Sequence, residues 1–310
     1  MSYFKSVAGQ EKTGPDLKIS VLGDSLTTGF YLSRYLPSIW RARTKYLSNW
    51  FFDDESVVDS VVGRCGLLGN TTAYNFSRSS AHVDECAIKS KLIGKAMGVR
   101  HFAEQVDGLL SLHRFPDITL LWIEHNNVDW VESFNFEHGN DVEQGLEELV
   151  ESFTKAYRSQ LRRIVAAASK AAHPTTIVVF GLINFGYFFQ AREVVEARKK
   201  TNPTLYPYLE RSALLFPSFE SKYRKETIAL AVTYYLWIKK LVKEMQLDVK
   251  NNSKLLYSSA LAKADIGYPE SLSHFDAWHP SIRGYKTLAD AAYQDIGEHV
   301  ELHFKKSRKR

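Results

Sequence analysis

The stretch KISVLGDSL, residues 18–26, runs an apolar segment directly into Gly23-Asp24-Ser25-Leu26. A serine on a sharp turn from strand to helix is held out of the sheet. Its hydroxyl then faces the crevice beyond the strand ends, where the backbone N–H groups of the new helix also point. That geometry suits a nucleophile and an oxyanion. The same tetrapeptide is also ordinary N-cap and turn chemistry. For Ser25 to act as a nucleophile, the rest of the chain must supply a base, an orienting acid and an oxyanion site.

Working outward, four more short runs read as strands: 72–77, 117–123, 175–181 and 254–258. The third and fourth runs in chain order (Asp117–Ile123 and Thr175–Gly181) are nearly continuous in apolar residues, as in parallel strands covered on both faces. Between them, 142–171, 219–247 and 280–303 carry apolar residues at helical spacing. Alternating strand and helix predicts a doubly wound α/β protein, a parallel five-stranded sheet with helices on both faces. Its functional crevice is expected outside the carboxyl ends of the strands. One domain is expected, with a core over about 18–300 and insertions at about 30–70 and 185–218. Both insertions are rich in aromatic residues, so each reads either as a lid or binding wall or as packing against the scaffold.

Two further stretches fall where strands end. Ile123-Glu124-His125-Asn126-Asn127 follows the third strand and offers amide donors. Asp276-Ala277-Trp278-His279-Pro280-Ser281 lies near the C-terminus. An aspartate three residues before a histidine can accept from one ring nitrogen and leave the other free as a base. Pro280 suits a first helical position, which puts His279 at the start of a helix.

Taken in order, these residues resemble the GDSL or SGNH hydrolases, esterases and lipases of flavodoxin-like α/β fold. Gly23-Asp24-Ser25-Leu26 is similar to the family's first block and implies Ser25 as the nucleophile. Asp276 to Ser281 is similar to the last block and implies His279 as the base and Asp276 as its partner. Asn75 to Ala81 resembles the second block, with Ser80 where a glycine is usual and Ser79 as the alternative donor if the register shifts. Ile123 to Asn127 resembles the third, Gly-x-Asn-Asp, with Glu124 for the glycine and Asn127 for the aspartate. The resemblance implies an oxyanion hole of Ser25 N–H, Ser80 N–H and the Asn126 side-chain amide. A carboxylate at Glu124 is expected near the crevice, where it would repel anionic substrates or raise the pKa of His279. His125, next to it, reads as a solvated turn residue.

Composition narrows the remaining classes. The chain has 310 residues, 45% hydrophobic, ample for a sizeable core. Two cysteines, Cys65 and Cys86, exclude a disulfide-dense scaffold and leave either one disulfide or two thiols open. No metal or other cofactor is expected, since the histidines show no ligand spacing such as H-E-x-x-H. The net charge of +5 comes partly from the tail Lys305 to Arg310. That tail can attract an anionic membrane, or is simply a solvated end. No nucleic-acid-binding motif accompanies it, and no nucleic-acid partner is expected. The N-terminus lacks a signal-peptide core, so the cytoplasm is the default compartment. Leaderless export, or an exported protein whose leader has been removed, is the alternative.

The expected substrate is a small-molecule or lipid ester. The insertion at 30–52, with Arg34, Arg41, Arg43 and Lys45 among its aromatics, favours a lipase or lysophospholipase. A short-acyl acetylesterase, or a hydrolase-like binding module without catalysis, are the other readings.

Overall fold

Apolar runs that continue across both faces of a strand require cover on both sides. The computed structural model supplies it for residues 3–6, 16–28, 61–77, 81–84, 101–128, 142–206, 209–210, 219–273 and 277–307, the residues it describes. The strands are β1 (Tyr3–Ser6), β2 (Leu17–Gly23), β3 (Thr71–Asn75), β4 (Ile118–Trp122), β5 (Thr176–Phe180) and β6 (Lys254–Ser258). They form one sheet in the order β1-β3-β2-β4-β5-β6. All pairings are parallel except β1 with β3. The five predicted strands therefore stand side by side in one parallel sheet, and a sixth, antiparallel strand covers the β3 edge. Four residues without a repeating pattern gave no sequence signal for β1, and edge pairing is what makes them a strand.

The helices are α1 (Ser25–Thr28), α2 (Val61–Leu68), α3 (Phe102–Leu110), α4 (Val142–Lys170), α5 (Phe185–Thr201), α6 (Arg224–Met245), α7 (Ala260–Lys263) and α8 (Ile282–Ser307). They pack in two groups, α3 with α4 and α4 with α6 in one, α2 and α7 with α8 in the other. Between the groups every residue of β4 is buried. Phe153 of α4 stacks on Tyr234 of α6 with ring centroids 3.9 Å apart. Cys65 of α2 is a free, buried thiol whose pKa burial pushes up to about 12, so it is inert at neutral pH. Cys86 lies outside the described residues.

Of the two aromatic insertions, 29–60 falls outside the described residues. The other begins as a helix. Asn184 caps α5, its Oδ1 accepting from Gly186 N–H at 2.9 Å, and Arg198, Lys199 and Lys200 sit in the last turn. Phe185, Phe188 and Phe189 are buried, so these aromatics pack into the scaffold.

The strand order reverses at β2, whose neighbours are β3 on one side and β4 on the other. At such a switch point a crevice opens beyond the carboxyl ends. β3 pairs with β2 only as far as Asn75 opposite Val21, so Gly23 projects past it. The side-chain amide of Gln105 on α3 takes over as the missing rung. Gly23 N–H donates to Gln105 Oε1 at 2.8 Å, and Gln105 Nε2 donates to Gly23 O at 2.9 Å. A Cβ on residue 23 would lie 2.1 Å from Thr27 Oγ1 and 2.5 Å from Trp122 O, so only glycine fits. Replacing Gln105 by leucine orphans two buried backbone groups. We expect Gln105→Leu to lose roughly 2–4 kcal/mol in urea denaturation. An unchanged midpoint would show that the rung is dispensable.

Candidate active site

Three strand ends converge at the switch point. In the β2–β4 pairing Gly23 lies opposite Trp122, which brings Asp24-Ser25 level with Ile123 to Asn126. The elbow is pinned from both sides. Thr27 Oγ1 donates to Trp122 O at 2.6 Å, and Asp24, fully buried, works in two directions. Its Oδ1 accepts Leu26 N–H at 2.9 Å, capping α1. Its Oδ2 accepts both the backbone N–H and the ring Nδ1 of His125, each at 3.1 Å.

His125 is thus buried and fully engaged, where the sequence read a solvated turn residue. Its Nε2 accepts Ile183 N–H at 3.3 Å, which leaves the proton on Nδ1 facing Asp24. The ring also meets Trp122 edge-on at 4.4 Å. The loops after β2, β4 and β5 are therefore joined through one imidazole. Neither Asp24 nor His125 was assigned this part from the sequence. Asp24 was visible in the first block, but its partner sits 101 residues away and only the fold brings it close.

The Asn126 amide donates from Nδ2 to Ala81 O at 2.8 Å. This places it beside the end of the second block, with a second N–H still to give. Asn127, where an aspartate is usual, accepts Val83 N–H at 2.9 Å and donates to Asp84 Oδ1 at 2.8 Å. A carboxylate at 127 would face the Asp84 carboxylate, so the amide is the compatible residue.

Glu124 departs from expectation. It is completely buried, and its Oε2 accepts its own neighbour's N–H, that of Ile123, at 2.6 Å. Burial first, and the Asp24 charge second, raise its pKa well above the usual carboxylate range. Oε1 and the Tyr157 hydroxyl have no hydrogen-bond partner among the described residues. The side chain lies buried in the interior, where these influences favour its protonated form.

His279 is 2% exposed and held by a small antiparallel clamp. Leu272 and Pro280 form a β-bridge, Ser273 N–H donates to His279 O at 2.7 Å, and Ser281 N–H donates to Ser271 O at 2.8 Å. Pro280 is therefore a bridge residue, and α8 starts two residues later, at Ile282. Trp278 anchors the loop, stacked on Phe219 at 3.9 Å and edge-on to Phe188 at 4.9 Å. Phe185 stands 6.2 Å from Trp278 and 6.4 Å from the His125 ring, so the loop packs at the carboxyl end of the sheet. Ala277 has φ 49°, a left-handed conformation unfavourable for alanine, next to His279's loop position. The buried Arg192 holds the Ala277 carbonyl at 3.4 Å.

Asp276, Ser79, Ser80 and the side chain of Ser25 lie outside the described residues. The structure brings the backbone of Ser25, the Asn126 amide and the His279 loop to the same sheet end. Among the described residues no cluster of three or more His, Cys, Asp or Glu is placed to hold a metal ion. Nor is any described helix long and apolar enough to cross a membrane.

The profile of the GDSL-like lipase/acylhydrolase family matches residues 19–292. The chain belongs to that family, and it is a carboxylic ester hydrolase of the GDSL type. Among solved structures it is similar to a carbohydrate esterase of family 3 from Talaromyces cellulolyticus, at 12% identity over 92% of this chain and 98% of that one, with a TM-score of 0.47. A lipase from a goat rumen metagenome matches at 17% identity over 90% and 96%, TM-score 0.44. An extracellular lipase from Streptomyces rimosus matches at 12% identity over 90% and 99%, TM-score 0.46. A comparison with curated protein sequences gave no match.

The raised pKa of Glu124 has a measurable consequence. Below the ordinary carboxylate pKa, folded and unfolded chains both hold this proton. Above it only the folded chain does, so the native protein loses stability as pH rises toward the elevated folded pKa. Glu124→Gln keeps an acceptor for Ile123 N–H without that penalty. As pH rises above the ordinary carboxylate range the variant should gain stability relative to the natural protein in urea denaturation. Parallel pH profiles would show that Glu124 is ionised in the fold.

Proposed function

We propose that the chain hydrolyses its ester through Ser25, His279 and Asp276 by way of an acyl-enzyme. The observation that carries this reading is the placing of the Asn126 amide against Ala81, level with the start of α1. An amide donor beside the end of the second block supports an oxyanion site shared with Ser25 N–H and a second-block N–H.

Ser25 Oγ attacks the ester carbonyl carbon and His279 takes its proton. Asp276 orients the imidazole and stabilises its charged form. The oxygen of the tetrahedral intermediate is held by Ser25 N–H, by Ser80 N–H (or Ser79 N–H, one residue earlier) and by Asn126. On collapse, His279 returns the proton to the departing alkoxide. Water then attacks the acyl-serine by the same route, regenerating Ser25 and releasing the acid. Fixed donors aimed at the developing charge supply most of the rate.

For the acyl group, the insertion at 30–52 supports a long chain, as in a lipase or lysophospholipase. One observation favours the shorter alternative. Phe185, Phe188 and Phe219 pack around Trp278, and Phe189 packs against those three phenylalanines, so all four are buried in the scaffold rather than lining an open acyl wall. Rates on p-nitrophenyl esters from acetate to palmitate separate these readings.

The triad itself is tested by a fluorophosphonate label. The natural chain should label and Ser25→Ala should not. Asn126→Ala should label more slowly and lose about 10²–10³ in kcat. A natural chain that neither labels nor cleaves any ester of the series would reduce the protein to a binding module.

A further inference from the structure

The end of the sheet away from the crevice holds a cleft of about 320 Å³. It opens at the amino ends of β4, β5 and β6, where Ile118, Thr176 and Lys254 begin their strands, and its far wall is α8. A strand of five residues at about 3.3 Å per residue puts it roughly 16 Å from the switch point. It belongs to no step of ester hydrolysis.

Its chemistry is one-sided. Arg114, Lys254, His173, His299 and His303 line it, with Asp117 as the one acid in the lining. That acid is already committed. Asp117 Oδ2 accepts Lys18 N–H at 2.8 Å, Oδ1 accepts from Arg114 at 2.9 Å, and His173 Nε2 stands 3.3 Å from Oδ1. Beyond the lining, Asp16 acts on His303 and Glu298 on His299. Asp16 accepts from Thr72 Oγ1 at 2.9 Å, and Tyr74, outside the cleft, feels both Arg114 and Asp117. The lining thus gathers one guanidinium, one ammonium group and three imidazoles around a single carboxylate.

We propose that this cleft binds a small tetrahedral dianion, a phosphate group either free or carried on a compact molecule. The size is at the lower end for a ligand pocket. A guanidinium already oriented by Asp117 and a lysine give charge-assisted hydrogen bonds to such oxygens. The imidazoles make the site sensitive to pH. Burial, with Arg114 beside His173 and Lys254 beside His299, holds those two pKa values below the ordinary range. For His303 burial outweighs the opposing pull of Asp117. A bound dianion reverses that balance, so binding takes up protons and tightens as pH falls.

Sulfate is the suitable probe, because it remains a dianion throughout the range where phosphate changes charge. In isothermal titration at constant ionic strength, sulfate should bind saturably to the full chain. Its affinity should rise several-fold from about pH 8 to about pH 6. Lys254→Ala and His299→Gln, both outside the catalytic set, should each weaken it, Lys254→Ala by about tenfold or more. Vesicles of phosphatidic acid and of phosphatidylcholine identify the source. Cosedimentation with the acidic vesicles only, competed by sulfate and lost in Lys254→Ala, assigns a lipid headgroup; sulfate binding without cosedimentation assigns a free anion. Absence of saturable binding, or equal affinity in both variants and the natural chain, overturns the proposal. Ester hydrolysis by the two variants should match the natural chain, so failure here leaves the reading of the catalytic site standing.

Discussion

A carboxylate with no access to water must be met by donors, and Asp24 is such a group. Three N–H groups among the described residues meet it from two places in the chain, Leu26 just ahead and His125 after β4. Their arrangement fixes the exit angle of α1, the course of the loop after β4 and, through His125 Nε2, the start of the loop after β5. Each of these segments would otherwise be a free connection at a strand end. The buried charge converts them into one body.

The sheet makes a complementary contribution. β3 stops short so that a crevice can open beside β2, and stopping short strands two polar groups of Gly23. Gln105 answers both. The Trp278 indole, gripped by Phe188 and Phe219, holds a loop whose backbone at Ala277 is in an unfavourable conformation. Strain of that kind persists only where the surroundings over-determine it, and here the β-bridge and Arg192 do so.

The periodic parts of this architecture could be read directly. Continuous apolar runs gave β4 and β5 to within a residue at each end, and the 3.6-residue spacing gave α4 and α6. What resisted had a physical reason in each case. The four residues of β1 are a strand only because β3 offers an edge. In α5 the aromatics crowd the first turns and obscure the helical spacing, although the Asn184 cap and the basic last turn were present in the sequence. For the site, motif order offered Ser25, Asn126 and His279 as candidates, but burial is a property of the fold. No local signal showed that His125 is enclosed, or that Gln105 reaches Gly23 from 82 residues away.

Burial also gives meaning to the departures in the third block. A glutamate in place of glycine, and an asparagine in place of aspartate, read as erosion when only the crevice is considered. Glu124 instead lies in the interior and accepts Ile123 N–H, while Asn127 bridges Val83 and Asp84. Both side chains serve the underside of the loop. Asn126, between them in the sequence, is the one that reaches toward the second block, through Ala81. The two outer positions are therefore taken up by packing and hydrogen bonds of the loop itself, and the central amide is the one on which the proposed oxyanion hole draws.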